Sequence, residues 1–242
     1  MKTALVTMLN EEFVIGFKAM IRSLLKNNPW FDLPVVILDD GVLPETKGKL
    51  TQIYKDITWQ PIDKKRYAGT DFEKTAPKLR CTYYKLDIFN MKGYERLVFI
   101  DSDTLILGDI KQLFATTAGF AAVKGYDPLH DMMRRDINSG VFVVNQQFLN
   151  EQVYVEMLRI ARSGHKMPDQ TVINHYFRNR MMYLDKVFNV EKRMLYTNKF
   201  KHVLQTMRIL HYVGEKPWQK KTNVREEQYA MLEREWWRYN HE

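Results

Sequence analysis

Across roughly the first hundred residues, short apolar runs alternate with amphipathic ones, and this alternation constrains the fold more than any other feature. Residues 3–9 (TALVTML) have the near-continuous apolar character of a buried strand. Over 12–25, Phe13, Phe17, Met20, Ile21, Leu24 and Leu25 recur at helical spacing. Pro34 opens a second strand, VVILDD, which Asp39, Asp40 and Gly41 end. A helix at 45–54 and a strand at ITWQPI continue the series. A helix at 76–90 leads to the strand RLVFI at 96–100, then strands at 119–124 and 137–145 and helices at 147–163 and 169–178. The strand RILHYV and a terminal helix at 224–239 complete the pattern. Repeated strand–helix–strand units predict an α/β fold, with a mostly parallel central sheet and flanking helices. No repeat, low-complexity tract or Gly/Ser linker interrupts the 242 residues, so the chain reads as one domain, 1–242.

Composition removes other classes. With 45% hydrophobic residues, 13 Phe and 13 Tyr, the chain is neither disordered nor collagen-like, and one cysteine, Cys81, excludes a disulfide scaffold. A lone cysteine without CxxC spacing fits a reducing, cytoplasmic compartment. The N-terminal MKTALVTML runs at once into Asn10, Glu11 and Glu12, too short and polar a stretch for a secretory peptide. No window approaches the ~18 apolar residues of a membrane span. The net charge of +8 points to an acidic partner, such as nucleic acid, an anionic membrane surface or a phosphorylated ligand. Scattered basic residues and the absence of a recognition motif speak against nucleic acid. The tail NVREEQYAMLEREWWRYN sets Tyr229, Leu232, Trp236 and Trp237 beside Arg225, Arg234 and Arg238. That pattern suits peripheral membrane contact or a helix that closes the core; its glutamates dilute the charge and favour the second.

The chemistry concentrates in RLVFIDSDTLIL, where an apolar strand delivers Asp101 and Asp103 at its carboxyl end, the edge at which open α/β sheets bind ligands. Two carboxylates one residue apart can reach one hard cation, which suits a reaction in which a diphosphate leaves. The same residues in a plain turn would cap backbone N–H groups. Three further segments bear on the choice. INSGVFVVN places Asn138, Ser139 and Gly140 before an apolar strand, PDQTVINHYF places Asp169 and Gln170 at a helix start, and RILHYVGEKPW places His211, Gly214, Lys216, Pro217 and Trp218 after a strand.

In this order the four segments resemble the glycogenin-like members of glycosyltransferase family 8, from ALVTMLNEEF to KPW, about nine-tenths of the chain. The resemblance implies a GT-A type nucleotide-sugar-binding fold, with 1–125 as the nucleotide-binding part and 126–242, including the C-terminal helix, as the acceptor-side part. It implies that Asp101, Asp103 and His211 bind Mn²⁺, with Mg²⁺ as a substitute, and that Ser102 lies between them against the donor. Imidazole beside carboxylates suits manganese. Lys216 would hold the diphosphate, and Gly214 would let backbone approach it closely. Thr7, Met8, Leu9 and Asn10 match the uridine seat, with Phe13 stacking on the base or, equally, a core residue. Lys85, in TYYKLDIF, matches a basic residue beside the donor; alone it reads as a solvent-facing helix lysine. Asp127, Asn138, Ser139, Gly140, Asp169 and Gln170 match the sugar-binding and catalytic positions, although the stretch between Asp127 and Asn138 is longer than in glycogenin.

The resemblance implies a retaining hexosyltransferase that takes glucose or galactose from a UDP-sugar, with a glycan or protein-linked acceptor. Asp169 and Gln170 are the candidates for the face opposite the leaving UDP. Tyr196, in MLYTNKF, is the candidate for self-glucosylation, and a homodimer like that of glycogenin is compatible with the motifs. VFIDSDTLIL also resembles the nucleophile strand of haloacid-dehalogenase-type phosphatases, but that reading leaves NSG, DQ and KPW unexplained. A catalytically silent nucleotide-sugar-binding module is the third reading, against which the intact Asp101, Asp103 and His211 stand.

Overall fold

The computed structural model describes residues 2–68, 81–163, 169–197, 199–220 and 229–241. The chain opens with strand β1 (Thr3–Leu9), helix α1 (Val14–Asn27), strand β2 (Val35–Asp39), helix α2 (Pro44–Ile53) and strand β3 (Ile57–Pro61). A 3₁₀ segment (Cys81–Asn90) precedes β4 (Arg96–Ile100), β5 (Thr104–Ile106) and a short helix α3 (Lys111–Ala115). A long hairpin of β6 (Phe120–Asp127) and β7 (Met132–Asn145) leads to helices α4 (Glu151–Ala161) and α5 (Asp169–Phe177). Short strands β8 (Met182–Tyr183), β9 (Val190–Glu191) and β10 (Ile209–His211) and a final helix α6 (Ala230–His241) follow.

The main sheet has the order β3-β2-β1-β4-β7-β6-β8. β1 runs parallel to β2 and β4, β2 to β3 and β6 to β8, whereas β7 is antiparallel to both β4 and β6. The sheet is therefore mostly parallel, as the alternation predicts. Period-two geometry sends successive side chains to opposite faces. Ala4, Val6, Leu97, Phe99, Phe142 and Val144 enter one core layer with the 3₁₀ segment, α4 and α5, while Leu5, Val98, Ile100, Val141 and Val143 enter the other with α1. A smaller sheet, β5-β10-β9, packs with α6 in a third cluster around Trp236.

Local chemistry explains the boundaries. The Asn10 side chain accepts a hydrogen bond from the Phe13 backbone N–H at 3.1 Å, which starts the turn that becomes α1. Pro44 occupies the first turn of α2, where its missing N–H costs nothing. The predicted helix at 76–90 is described only from residue 81, and there it is 3₁₀ rather than α-helix; residues 76–80, and 224–228 of the terminal helix, lie outside the described residues. β6 and β7 run past the predicted ends because they continue as an exposed hairpin beyond the core, with register shifts between Ala122 and Tyr126. In α6, Trp236 is fully buried and Tyr239 nearly so, while Met231, Arg234 and Arg238 face outward, so this helix closes the core. No helix among the described residues is long and apolar enough to cross a membrane.

Strand order turns at β1, with β2 on one side and β4 on the other. Open α/β sheets hold ligands in the crevice at such a point, off the carboxyl ends of the strands.

Candidate functional site

Chain segments far apart in sequence meet at the carboxyl end of β4. The Asp101 backbone N–H donates to the Gly140 carbonyl at 2.8 Å, and the Thr104 hydroxyl donates back to the Asp101 carbonyl at 2.8 Å. β10 runs antiparallel to β5 with His211 opposite Thr104, and the Tyr212 N–H donates to the Asp103 carbonyl at 3.0 Å. These backbone bonds bring His211 Nε2 to 3.3 Å from Asp103 Oδ1 and 3.8 Å from Asp101 Oδ2. One ligand atom from each of the three residues lies within 4.8 Å of the others. A side chain at position 140 would abolish this arrangement, since a Cβ there would lie 2.3 Å from His211 Cε1.

Two ammonium groups flank the carboxylates. Lys216 Nζ bonds Asp103 Oδ2 and donates to the Tyr212 carbonyl at 3.1 Å. Lys85, 4% exposed, reaches Asp101 at 3.1 Å, Asp169 at 3.4 Å and the Ser139 carbonyl at 3.1 Å, over the ring of Phe99. Burial works against the Lys85 ammonium, but Asp101 and Asp169 outweigh it and the pKa is raised. Burial raises the Asp101 carboxyl against the pull of Lys85, with Asp103 adding to the rise. For Asp103, burial is overcome by Lys216 and His211, which hold its carboxyl well below the usual range. Three acidic groups face two ammonium groups and an imidazole here, and this hard oxygen and nitrogen donor set fits a divalent cation.

The NSG and DQ segments join the same network. Ser139 Oγ donates to Asp169 Oδ2 at 2.8 Å, and the Ser139 N–H donates to Gln170 Oε1 at 3.3 Å. Asn138 Oδ1 accepts from the Gly140 N–H at 2.8 Å. Gly214 has φ +91°, a left-handed conformation that favours glycine, in the turn between His211 and Lys216.

Other predicted residues stand apart from this cluster. Thr7 is fully buried, with its hydroxyl lacking a hydrogen-bond partner among the described residues. Leu9 is a core residue, Met8 is half-buried and Asn10 caps the turn before α1. The half-buried Phe13 sets its ring edge-on to Trp218 at 5.5 Å, so the KPW segment leans on the start of α1. Gly16, a turn further along α1, touches that segment too: a Cβ there would lie 2.7 Å from both the Ser102 carbonyl and the Trp218 ring. Asp127 occupies the far end of the hairpin, paired with Met132, its carboxylate accepting from Leu129 N–H and contacting His130 at 2.9 Å. The neighbouring Tyr126 N–H donates at 3.1 Å to Glu191 Oε1, which Asn138 Nδ2 also faces at 3.4 Å, so Asp127 lies at the border of the cluster with its carboxylate engaged by the hairpin turn. The Tyr196 side chain lies outside the described residues.

Two residues in the site went unnoticed in the sequence. Lys192, fully buried, donates to the Glu215 carbonyl at 2.7 Å and so holds the turn that presents Lys216. Asn189, 1% exposed, lies 2.9 Å from His211 Nδ1. Neither belongs to a run or spacing that would have singled it out.

Fold and site together define an α/β protein with a nucleotide-type crevice and a candidate divalent-cation site at the end of its central strands. The family model described as Glycosyl transferase family 8 matches residues 4–222, and the chain belongs to that family. Glycogenin from Neurospora crassa is 26% identical over 219 residues, covering 87% of this chain and 30% of that protein. Among solved structures, the galactosyltransferase LgtC in complex with donor and acceptor sugar analogues aligns with a TM-score of 0.72 at 15% identity, over 96% of this chain and 95% of that one. The glycosyltransferase GlyE of Streptococcus pneumoniae aligns with a TM-score of 0.76 at 18% identity, over 99% of this chain and 61% of that one. These likenesses establish the GT-A type fold. The chain spans 30% to 38% of the length of the first curated relatives it matches.

Proposed function

We propose that the chain is a retaining hexosyltransferase that moves glucose or galactose from a UDP-sugar to a glycan or protein-linked acceptor with the aid of Mn²⁺. The observation that carries this reading is the convergence of Asp101, Asp103 and His211 beside Lys216 at the end of β4. Asp101, Asp103 and His211 would hold the cation, which supplies charge neutralisation to the departing diphosphate. Lys216, on the short turn after His211, would bind the same diphosphate as a fixed positive charge. The end of β1 and Phe13 would border the uridine in the crevice between β1 and β4. In the transfer the bond from the anomeric carbon to the phosphate oxygen breaks with its electron pair leaving on UDP. The acceptor hydroxyl oxygen bonds that carbon and gives up its proton to the departing UDP oxygen or to water. Lys85 and Ser139 fix the position of the Asp169 carboxylate, which is suited to supporting positive character at the anomeric carbon. Gln170, its oxygen fixed by the Ser139 N–H, has its NH₂ available as a donor beside it. Residues 1–125 would form the nucleotide-binding part and 126–242 the acceptor-side part.

The test is UDP release with Mn²⁺ over a panel of UDP-sugars without acceptor, with metal-free protein as control. Slow metal-dependent hydrolysis of one donor is expected and names the sugar. Nucleotide binding without release from any donor, even with added acceptor glycans, would indicate a silent binding module. Neither binding nor release would overturn the reading.

A further inference from the structure

The imidazole of His211 has two ring nitrogens, and only one faces Asp101 and Asp103. Which nitrogen carries the hydrogen decides whether the ring offers those carboxylates a lone pair or a donor. The oxygen and nitrogen of an amide are told apart by their partners. Here the chain of partners begins at a group without ambiguity, the backbone N–H of Gly140, which donates to Asn138 Oδ1 at 2.8 Å. The other end of that amide agrees, because Asn138 Nδ2 faces Glu191 Oε1 at 3.4 Å, an oxygen that also accepts from the Tyr126 N–H at 3.1 Å. Asn138 Oδ1 therefore accepts, and the Asn189 atom 2.9 Å from it is the NH₂. The Asn189 oxygen then faces His211 Nδ1 at 2.9 Å. An amide oxygen only accepts, so Nδ1 bears a hydrogen, and in the neutral ring Nε2 presents its lone pair to the two carboxylates.

We propose that Asn189 is the positioning residue that fixes the tautomer and ring plane of His211 for a divalent cation, in a relay that starts at the Gly140 N–H and runs through Asn138. A lone pair and two carboxylates directed at one another call for a cation between them, a metal ion or a proton on Nε2, and buried partners of this kind orient metal-binding histidines. The inference rests on the reading that Asp101, Asp103 and His211 hold that cation. It adds a role for Asn138 as well: its amide oxygen is committed to the relay.

Two measurements test it. Long-range ¹H–¹⁵N correlation on the metal-free wild-type protein, at about pH 8.5, where imidazole is ordinarily neutral, reads the tautomer directly, with His211→Gln to assign the signal. A hydrogen on Nδ1 is expected; an Nδ1 without one overturns the relay. Mn²⁺ titration followed by electron paramagnetic resonance reads the consequence. Asn189→Ala is expected to weaken Mn²⁺ binding about ten- to a hundredfold and to lose the tautomer preference. Asn189→Asp keeps an acceptor for the Nδ1 hydrogen but loses the NH₂ that Asn138 Oδ1 receives, so it is expected to keep the tautomer and recover part of the affinity. Unchanged affinity in a folded Asn189→Ala variant, or equal loss in both variants, would overturn the proposal. A wild-type protein with the expected tautomer but no affinity for Mn²⁺ would overturn the cation reading instead, and the affinity arm of the proposal with it.

Discussion

The 3₁₀ segment carries two buried charged residues two positions apart, and their surroundings differ. Lys85 reaches the open end of the sheet, where Asp101, Asp169 and the Ser139 carbonyl surround it. Asp87 points into the layer beneath α4, where the Tyr67 hydroxyl donates to it at 2.7 Å and the Tyr154 hydroxyl lies nearby. The first cluster matches charge with charge, and polar backbone ends meet it. The second has phenols as its nearest partners, with Arg66 a weaker pull, and burial raises the Asp87 carboxyl while pushing Tyr67 up strongly and Tyr154 up to about 12. A buried charge with opposing charges can remain ionised and serve a ligand, whereas a buried acid among hydroxyls is a brace between segments.

Substitutions on each side should break this contrast in different observables. The largest effect is expected from Asp103→Asn, which keeps the shape and removes the charge: Mn²⁺-dependent turnover should fall on the order of a thousandfold in a protein that still folds. Turnover near wild type would remove Asp103 from the cation site. Lys85→Met leaves Asp101 and Asp169 without their shared ammonium and should cost about 3 kcal/mol in urea denaturation, together with activity. Tyr67→Phe removes a hydrogen bond to a buried acid and should cost about 2 kcal/mol, with kcat and KM unchanged. A change in either constant would tie the brace to the site.

The smallest effect is one of pH dependence. Burial puts the Asp87 carboxyl above its unfolded value, so the fold disfavours the charged form. Its contribution to stability should therefore improve as pH falls through the folded pKa towards the unfolded value of about 3.9. Asp87→Asn should flatten that slope in denaturation curves taken between about pH 7 and pH 4; an unaltered slope would assign the pH dependence to other groups.

Much of this was legible in the sequence, for reasons that differ by region. β1, α1, β2, α2 and β4 were readable because each is long enough to show a period and ends at a cap, a proline or an aspartate pair. β5, β8 and β9 have two or three residues and no period to show. The motif segments named the polar cluster around Asp101 and His211 because they carry unusual residue types at fixed spacing. Lys85 in isolation looked like a surface lysine, and only the neighbouring carboxylates at 3.1 Å and 3.4 Å make it a buried one. Asp127 shares a residue type with the sugar-binding position, and its carboxylate is engaged by the turn through the Leu129 N–H and His130. Asn189 is set by contacts with residues 51 positions before it and 22 after it, which no local pattern encodes.

The pairing of β10 with β5 also bears on how the protein comes together in time. Asp101 and Asp103 wait on a strand end for His211 and Lys216, so the polar cluster closes a loop of more than a hundred residues. Contacts of such wide sequence separation form slowly, because the entropy of loop closure must be overcome before they stabilise anything. The sheet around β1, β2 and β4 can therefore assemble first, with the two aspartates in place but without their partners. Competence for a cation would then appear as one of the final events of folding, and a cation that binds only the finished cluster would act as a latch on the native state.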